Sequence, residues 1–276
     1  MSPITAAADR SPYVEAPITY VVAGEKAVFY PAERDRSYWP RDMHKVRISS
    51  MRPVSESLDL ETNGFVLLHE PTGVKNFYDS QEVKQVYYPE IINLVKRLNG
   101  AEEVIAFGEV ARTDNRDAVQ GQLPSYGAHV DYGDYTVREF AENVLGKTAA
   151  QKLLKLRYVL INLWRPITPV YRTPLAVCDA STVVRSDLND SEIRGGLMDP
   201  DRPPLYGFNL SYNPDHRWYY VPEMQPDEIL AFKLYDSDSG RVQWTGHTAF
   251  DDPGAPPEAP PRESIEIRTI SFIRPA

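Results

Sequence analysis

A chain of 276 residues with 42% hydrophobic and 11% aromatic residues can bury one substantial core, and it holds no apolar stretch long enough to suggest a membrane span. The formal charge of -9, without clustered Lys and Arg, argues against a general nucleic-acid binder, whose phosphate contacts need concentrated positive charge. The single cysteine, Cys178, excludes an intramolecular disulfide and a cysteine-based zinc site, and with no basic-then-apolar leader in residues 1–10 the expected setting is cytoplasmic.

Residues 1–57 are rich in Pro, Arg and Tyr without a sustained helical period, which reads as a wrapping arm of a single 1–276 domain, with short strands at 18–22 and 27–30. Gly64-Phe65-Val66-Leu67-Leu68 reads as a buried strand ended by Pro71 and Gly73. Asp79 and Glu82 have capping-box spacing, and Val83, Val86, Tyr87, Ile91, Leu94, Val95 and Leu98 follow at helical intervals up to Gly100. One amphipathic helix kinked at Pro89 is expected there. A strand at 103–107 leads into a polar loop at 112–122. Thr136 and Glu139 open a short helix closed by Gly146, with a further turn at 149–154.

Short β-branched or aromatic runs then dominate, at 156–163, 175–177, 205–212, 217–222, 229–235 and 264–273. Helices first and many short strands afterwards, with 24 prolines and no βαβ alternation, point to an all-β barrel or sandwich flanked by N-terminal helices. The proline-rich segment 251–261 reads as a surface loop, with a lid as the functional alternative.

Chemistry enters at Tyr126-Gly127-Ala128-His129-Val130-Asp131. Residues i and i+2 of a strand project to one side, so His129 and Asp131 can aim an imidazole nitrogen and a carboxylate oxygen at one point. With five histidines and 39 acidic residues, however, an H-x-D triplet arises by chance in roughly every other such chain. A distal His247 would complete two histidines and one carboxylate, which leave one face of a metal open. The bland reading of both histidines is hydrogen-bonded core residues, and His44, His69 and His216 have no supporting context.

Downstream, alternation puts Arg262, Ser264, Glu266 and Arg268 on one strand face, where a guanidinium can match a carboxylate bidentately. Spacing does not choose between Arg262 and Arg268. Arg165 is either a stacked structural residue or an anchor for a substrate carboxylate. Trp164, Tyr126 and Tyr212 read as pocket wall or core, and Cys178 as a small buried hydrophobe.

The runs His129-Val130-Asp131, Asn162-Leu163-Trp164-Arg165-Pro166, Pro174-Leu175-Ala176-Val177-Cys178-Asp179, Tyr235-Asp236-Ser237, His247-Thr248-Ala249-Phe250 and Pro261-Arg262-Glu263-Ser264-Ile265-Glu266-Ile267-Arg268 resemble the cephem methoxylase and gibberellin-desaturase-like family of secondary metabolism. The resemblance implies a mainly β protein whose double-stranded β-helix (jelly-roll, cupin-like) core spans 100–274, flanked by N-terminal and inserted α-helices. It implies an Fe(II)/2-oxoglutarate-dependent oxygenase with His129, Asp131 and His247 on the iron. It further implies that Arg262 and Ser264 hold the distal carboxylate of 2-oxoglutarate, with Arg268 a rival because the proline-rich loop lengthens the interval from His247.

The implied reaction uses Fe(II), 2-oxoglutarate and O2 to remove hydrogen from an unactivated C–H bond of a small metabolite, with succinate and CO2 released. Hydroxylation, desaturation and oxidative cyclisation all fit, and a substrate carboxylate would find its anchor at Arg165, walled by Trp164, Tyr126 and Tyr212. Two other readings stand beside it: a non-redox metal-dependent isomerase or lyase on a cupin-like barrel, and a metal-bearing β-barrel binding protein.

Overall fold

The computed structural model describes residues 11–133, 136–195, 201 and 204–274, so the reading of residues 1–10 and the side chain of Glu139 lie outside the described residues. Two sheets pack around a shared core. The larger runs, in spatial order, β1 (Tyr13–Val21), β3 (Arg41–Ser50), β11 (Trp218–Tyr220), β8 (Leu175–Cys178), β13 (His247–Ala249), β6 (His129–Val130), β10 (Leu205–Leu210), β9 (Leu188–Ile193) and β2 (Ala27–Phe29). The smaller is β4 (Phe65–His69), β12 (Glu228–Asp236), β7 (Arg157–Pro166), β14 (Glu263–Ile273) and β5 (Glu103–Thr113). Most neighbours are antiparallel and distant in sequence, the jelly-roll pattern expected for this chain.

The central strand β7 shows why the smaller sheet is buried on both faces. Its Leu160 and Trp164 join the core between the sheets, whereas Val159, Ile161 and Leu163 join a second core. A helical segment covers that second face, built from α1 (Ser80–Glu82), a π-helical turn (Val83–Tyr87) and α2 (Tyr88–Asn99). Asp79 caps it by accepting from the Gln81 and Glu82 N–H groups, and Gly100, at φ +70°, closes it in the left-handed conformation. The kink expected at Pro89 is instead a widened turn just before it. The Tyr88 N–H reaches five residues back to the Val83 carbonyl, next to a proline that has no N–H to give.

Two strands depart from the expected outline. β3 pairs with β1 over its length, so the arm is part of the larger sheet rather than a wrapper. Its inward-leaning positions include Asp42 and His44, which hides the binary pattern. β9 reads Leu-Asn-Asp-Ser-Glu-Ile, too polar to be recognised as a strand. Asn189 is buried because it accepts from the Gly24 N–H, and Glu192 because it pairs with Lys26 and Arg194. α3 (Thr136–Leu145) and α4 (Lys147–Leu153) form the inserted helices. Among the described residues no helix is long and apolar enough to cross a membrane.

Candidate active site

β6 and β13 are neighbours in the larger sheet, and His129 pairs directly with His247, so both imidazoles leave the same face with ring centroids 4.2 Å apart. Asp131 follows at the end of β6. Its Oδ1 lies 3.5 Å from His129 Nε2 and 3.7 Å from His247 Nε2, and one ligand atom from each residue falls within 4.8 Å of the others. The chain can bring Asp131 here because β10 passes close behind with a glycine. A Cβ on Gly207 would sit 2.7 Å from the Val130 carbonyl oxygen and 2.9 Å from that of Asp131.

Each ligand atom is aimed by a partner on its other side. His129 Nδ1 lies 2.6 Å from the Gly127 carbonyl and His247 Nδ1 3.3 Å from that of Thr245, an arrangement in which Nδ1–H donates and Nε2 keeps its lone pair. Asn162 Nδ2 donates to Asp131 Oδ2 at 2.8 Å, and Arg268 Nε approaches the same oxygen at 3.5 Å, which leaves Oδ1 toward the histidines.

Burial pushes the His247 imidazole down to about 3, with His129 adding to the effect, so it is neutral near pH 7. Burial alone would raise the Asp131 carboxyl, but Arg268 and the two histidines hold it well below the usual range. Two imidazoles and one carboxylate form a donor set suited to Fe(II) with coordination positions left over.

Two cavities share His129 and Asp131. The first is narrow and is lined also by His247, Trp164, Arg112, Arg262 and Glu266. Arg262 is 2% exposed; its Nη1 donates to the Thr173 carbonyl at 2.8 Å and its Nε to Ser264 Oγ at 3.2 Å. Burial lowers the Arg262 guanidinium to about 10, so it stays charged at neutral pH. The indole N–H of Trp164 is buried at the same cavity without a hydrogen-bond partner, an unmet donor that a carboxylate would satisfy. A charged arginine, an unmet N–H and an open metal face in one cavity fit a 2-oxo dicarboxylate.

The second cavity is a cleft of about 380 Å3, lined by residues of β5, β9, β10 and α3 and by Arg268. Arg268 is therefore on the cleft side, bound to Asp131 and Glu266, and does not join Arg262. Ser264, fully buried, braces Arg262 from β14.

Three residues expected around the substrate lie elsewhere. Arg165 follows Trp164 on β7 and so points to the opposite face, where its Nε bonds the Tyr87 hydroxyl at 2.9 Å and its Nη groups bond the Pro226 and Glu70 carbonyls. Tyr212 stacks on His44, with ring centroids 3.7 Å apart, and lines neither cavity. Tyr126 donates to Asp251 Oδ1 at 2.7 Å and, with residues of the proline-rich loop, borders an open surface cleft. Trp164 does reach the site, on the Arg262 side.

Arg112, Asn162 and Glu266 complete the surroundings; the sequence reading gives Glu266 a place on the Arg262 strand face but gives none of the three a role in the site. Alternation with Trp164 and Ser264 was the signal available for Asn162 and Glu266, while Arg112 lay in what read as the start of a loop.

A family model described as "Oxidoreductase/YMDC permease-like domain" matches residues 11–272. The chain is 33% identical over 237 residues to the Fe(II)/2-oxoglutarate-dependent dioxygenase nvfI of Aspergillus novofumigatus, covering 83% of each. It is also 33% identical over 251 residues to the hydroxylase/desaturase efuI of Hormonema carpetanum, covering 82% of this chain and 83% of that one. Among solved structures it matches the iron and alpha-ketoglutarate-dependent endoperoxidase NvfI with a TM-score of 0.85 and 28% identity, over 97% of this chain and 100% of the other.

Proposed function

We propose that this chain, which belongs to the family of Fe(II)/2-oxoglutarate-dependent dioxygenases and hydroxylase/desaturases represented by those fungal relatives, holds iron on His129, Asp131 and His247 and its co-substrate on Arg262 and Trp164. It is an Fe(II)/2-oxoglutarate-dependent oxygenase of secondary metabolism that acts on a small molecule. The observation that carries the residue assignments is the meeting of the two-histidine, one-carboxylate set with a buried arginine in one cavity. A cytoplasmic setting is the reading for a chain whose lone cysteine is a buried free thiol.

Fe(II), when bound there with 2-oxoglutarate, supplies activation of O2 and hydrogen removal from an unactivated C–H bond. The side chains supply orientation. His129 and His247 are held with Nε2 forward by the Gly127 and Thr245 carbonyls, and Asp131 presents Oδ1 because Oδ2 is engaged by Asn162 and Arg268. Arg262, fixed by Thr173 and Ser264, would grip the distal carboxylate and so set the angle at which the 2-oxo acid meets the metal. The cleft beside Asp131 would hold the molecule to be oxidised, its apolar walls keeping water away. Where a C–H bond comes to rest there decides among hydroxylation, desaturation and ring closure.

The test is an anaerobic titration of the full chain with Fe(II) and then 2-oxoglutarate. A weak visible charge-transfer band is expected, absent from His129→Ala, Asp131→Ala and His247→Ala variants that remain folded. Turnover with Zn(II) under nitrogen, without 2-oxoglutarate, would instead put the residues in the non-redox isomerase or lyase class, which the relatives do not favour.

A further inference from the structure

We propose that the cleft of about 380 Å3 takes a neutral, mainly apolar metabolite and disfavours a carboxylate-bearing one. The inference rests on the oxygenase reading, which assigns this cleft to the molecule being oxidised. Among the described residues Arg268 is the only cationic side chain lining the cleft. Its guanidinium is already engaged, with Nε 3.5 Å from Asp131 Oδ2 and Nη2 3.5 Å from Glu266 Oε1. Gly108, at φ +61°, runs alongside, where a Cβ would lie 3.4 Å from Arg268 Nη1.

An acid entering the cleft would thus meet two carboxylates gathered around one guanidinium, and a carboxylate buried without its own partner is strongly disfavoured. Arg165, the alternative anchor, faces the other side of the smaller sheet.

The rest of the lining is suited to carbon. Phe107, Val130, Ile193 and Leu205 supply apolar wall, while Ser191 on β9 and Asn143 on α3 offer uncharged hydrogen-bonding groups. Thr136 is committed, its hydroxyl donating to the Gly133 carbonyl at 2.9 Å and lying 3.2 Å from that of Tyr206. The ligand chemistry that matches is a carbon skeleton of roughly 10 to 25 non-hydrogen atoms carrying one or two hydroxyl or carbonyl oxygens.

The probes are matched pairs that differ only in CH2OH against carboxylate: perillyl alcohol with perillic acid, and abietinol with abietic acid. Each is titrated by calorimetry at pH 7.5 into the full metal-free chain and into the chain loaded with Fe(II) and 2-oxoglutarate under nitrogen. At least one alcohol is expected to bind about tenfold or more tighter than its acid, a gap in keeping with an unpaired buried carboxylate. Ile193→Arg, which adds a cation to the wall, should reverse the preference, and Leu205→Arg serves as a second reversing variant should the first not fold.

Acid binding equal to or tighter than alcohol binding in the wild type overturns the proposal, as does the failure of every alcohol at millimolar concentration. If the alcohol is preferred but the iron band never forms, the oxygenase reading falls and the cleft assignment stands. If the band is normal but the acid is preferred, the oxygenase reading stands and the neutral-ligand assignment falls.

Discussion

Replacing Arg262 strips the cavity proposed for the co-substrate of its buried cation, and the size of the effect can be worked from the guanidinium's own bonds. Of five N–H donors, Nε is used on Ser264 and one Nη1 donor on the Thr173 carbonyl, which leaves three for a carboxylate. A charge-assisted bidentate contact is worth roughly 3 kcal/mol, and each 1.4 kcal/mol is tenfold, so Arg262→Ala should weaken 2-oxoglutarate binding by a hundredfold or more. Arg262→Lys keeps a charge but not the fork, and should fall about tenfold short of the wild type. The quantity to follow is the dissociation constant from the anaerobic charge-transfer titration, which separates binding from turnover. Near-normal affinity in Arg262→Ala, together with lost affinity in Arg268→Ala, would refute the reasoning and move the co-substrate to the cleft side.

Asn162→Leu removes the donor that holds Asp131 Oδ2, and Fe(II) affinity measured by chelator competition should drop roughly 10- to 100-fold; unchanged affinity would mean that Arg268 alone suffices. Arg165→Met should cost about 3 kcal/mol in urea denaturation and leave the KM for 2-oxoglutarate unchanged, since it breaks buried bonds to Tyr87, Pro226 and Glu70; the reverse outcome would return Arg165 to the site.

His216 carries a pH prediction. Burial lowers its imidazole below the ordinary value of 6.5 despite Asp187 3.1 Å away, so the unfolded chain takes up the proton more readily and stability falls as pH drops below 6.5. The fall in denaturation midpoint from pH 7 to pH 5 should be shallower in His216→Phe, and an unaltered slope would exclude His216 as a source.

The parts of this fold written in a repeating pattern could be read without coordinates. Asp79 and the 3.6-residue spacing after it marked the covering helix, and the alternating or continuous apolar runs marked β7, β12 and β14. β3 and β9 escaped because their inward positions are polar residues whose partners, such as Gly24 for Asn189, are far away in sequence. The grouping of His129, Asp131 and His247 was legible only as a pair plus a family likeness, since nothing local says that His247 will pair with His129. Arg165 illustrates the opposite error. It stands next to Trp164 in sequence, and adjacency on a strand is what sends two side chains to opposite faces.

The pairing of His129 with His247 has a mechanical consequence. The two imidazoles are mounted on one rung between β6 and β13, with β10 and β8 hydrogen-bonded outside them, so they move as a single plate. Separating them would require parting strands in the middle of a sheet, and their backbone amides should exchange with deuterium on the slow timescale of that event rather than that of the surrounding loops. Loop motion alone does not part the two histidines, so the spacing of their Nε2 atoms is set by the sheet and not by the segments around it.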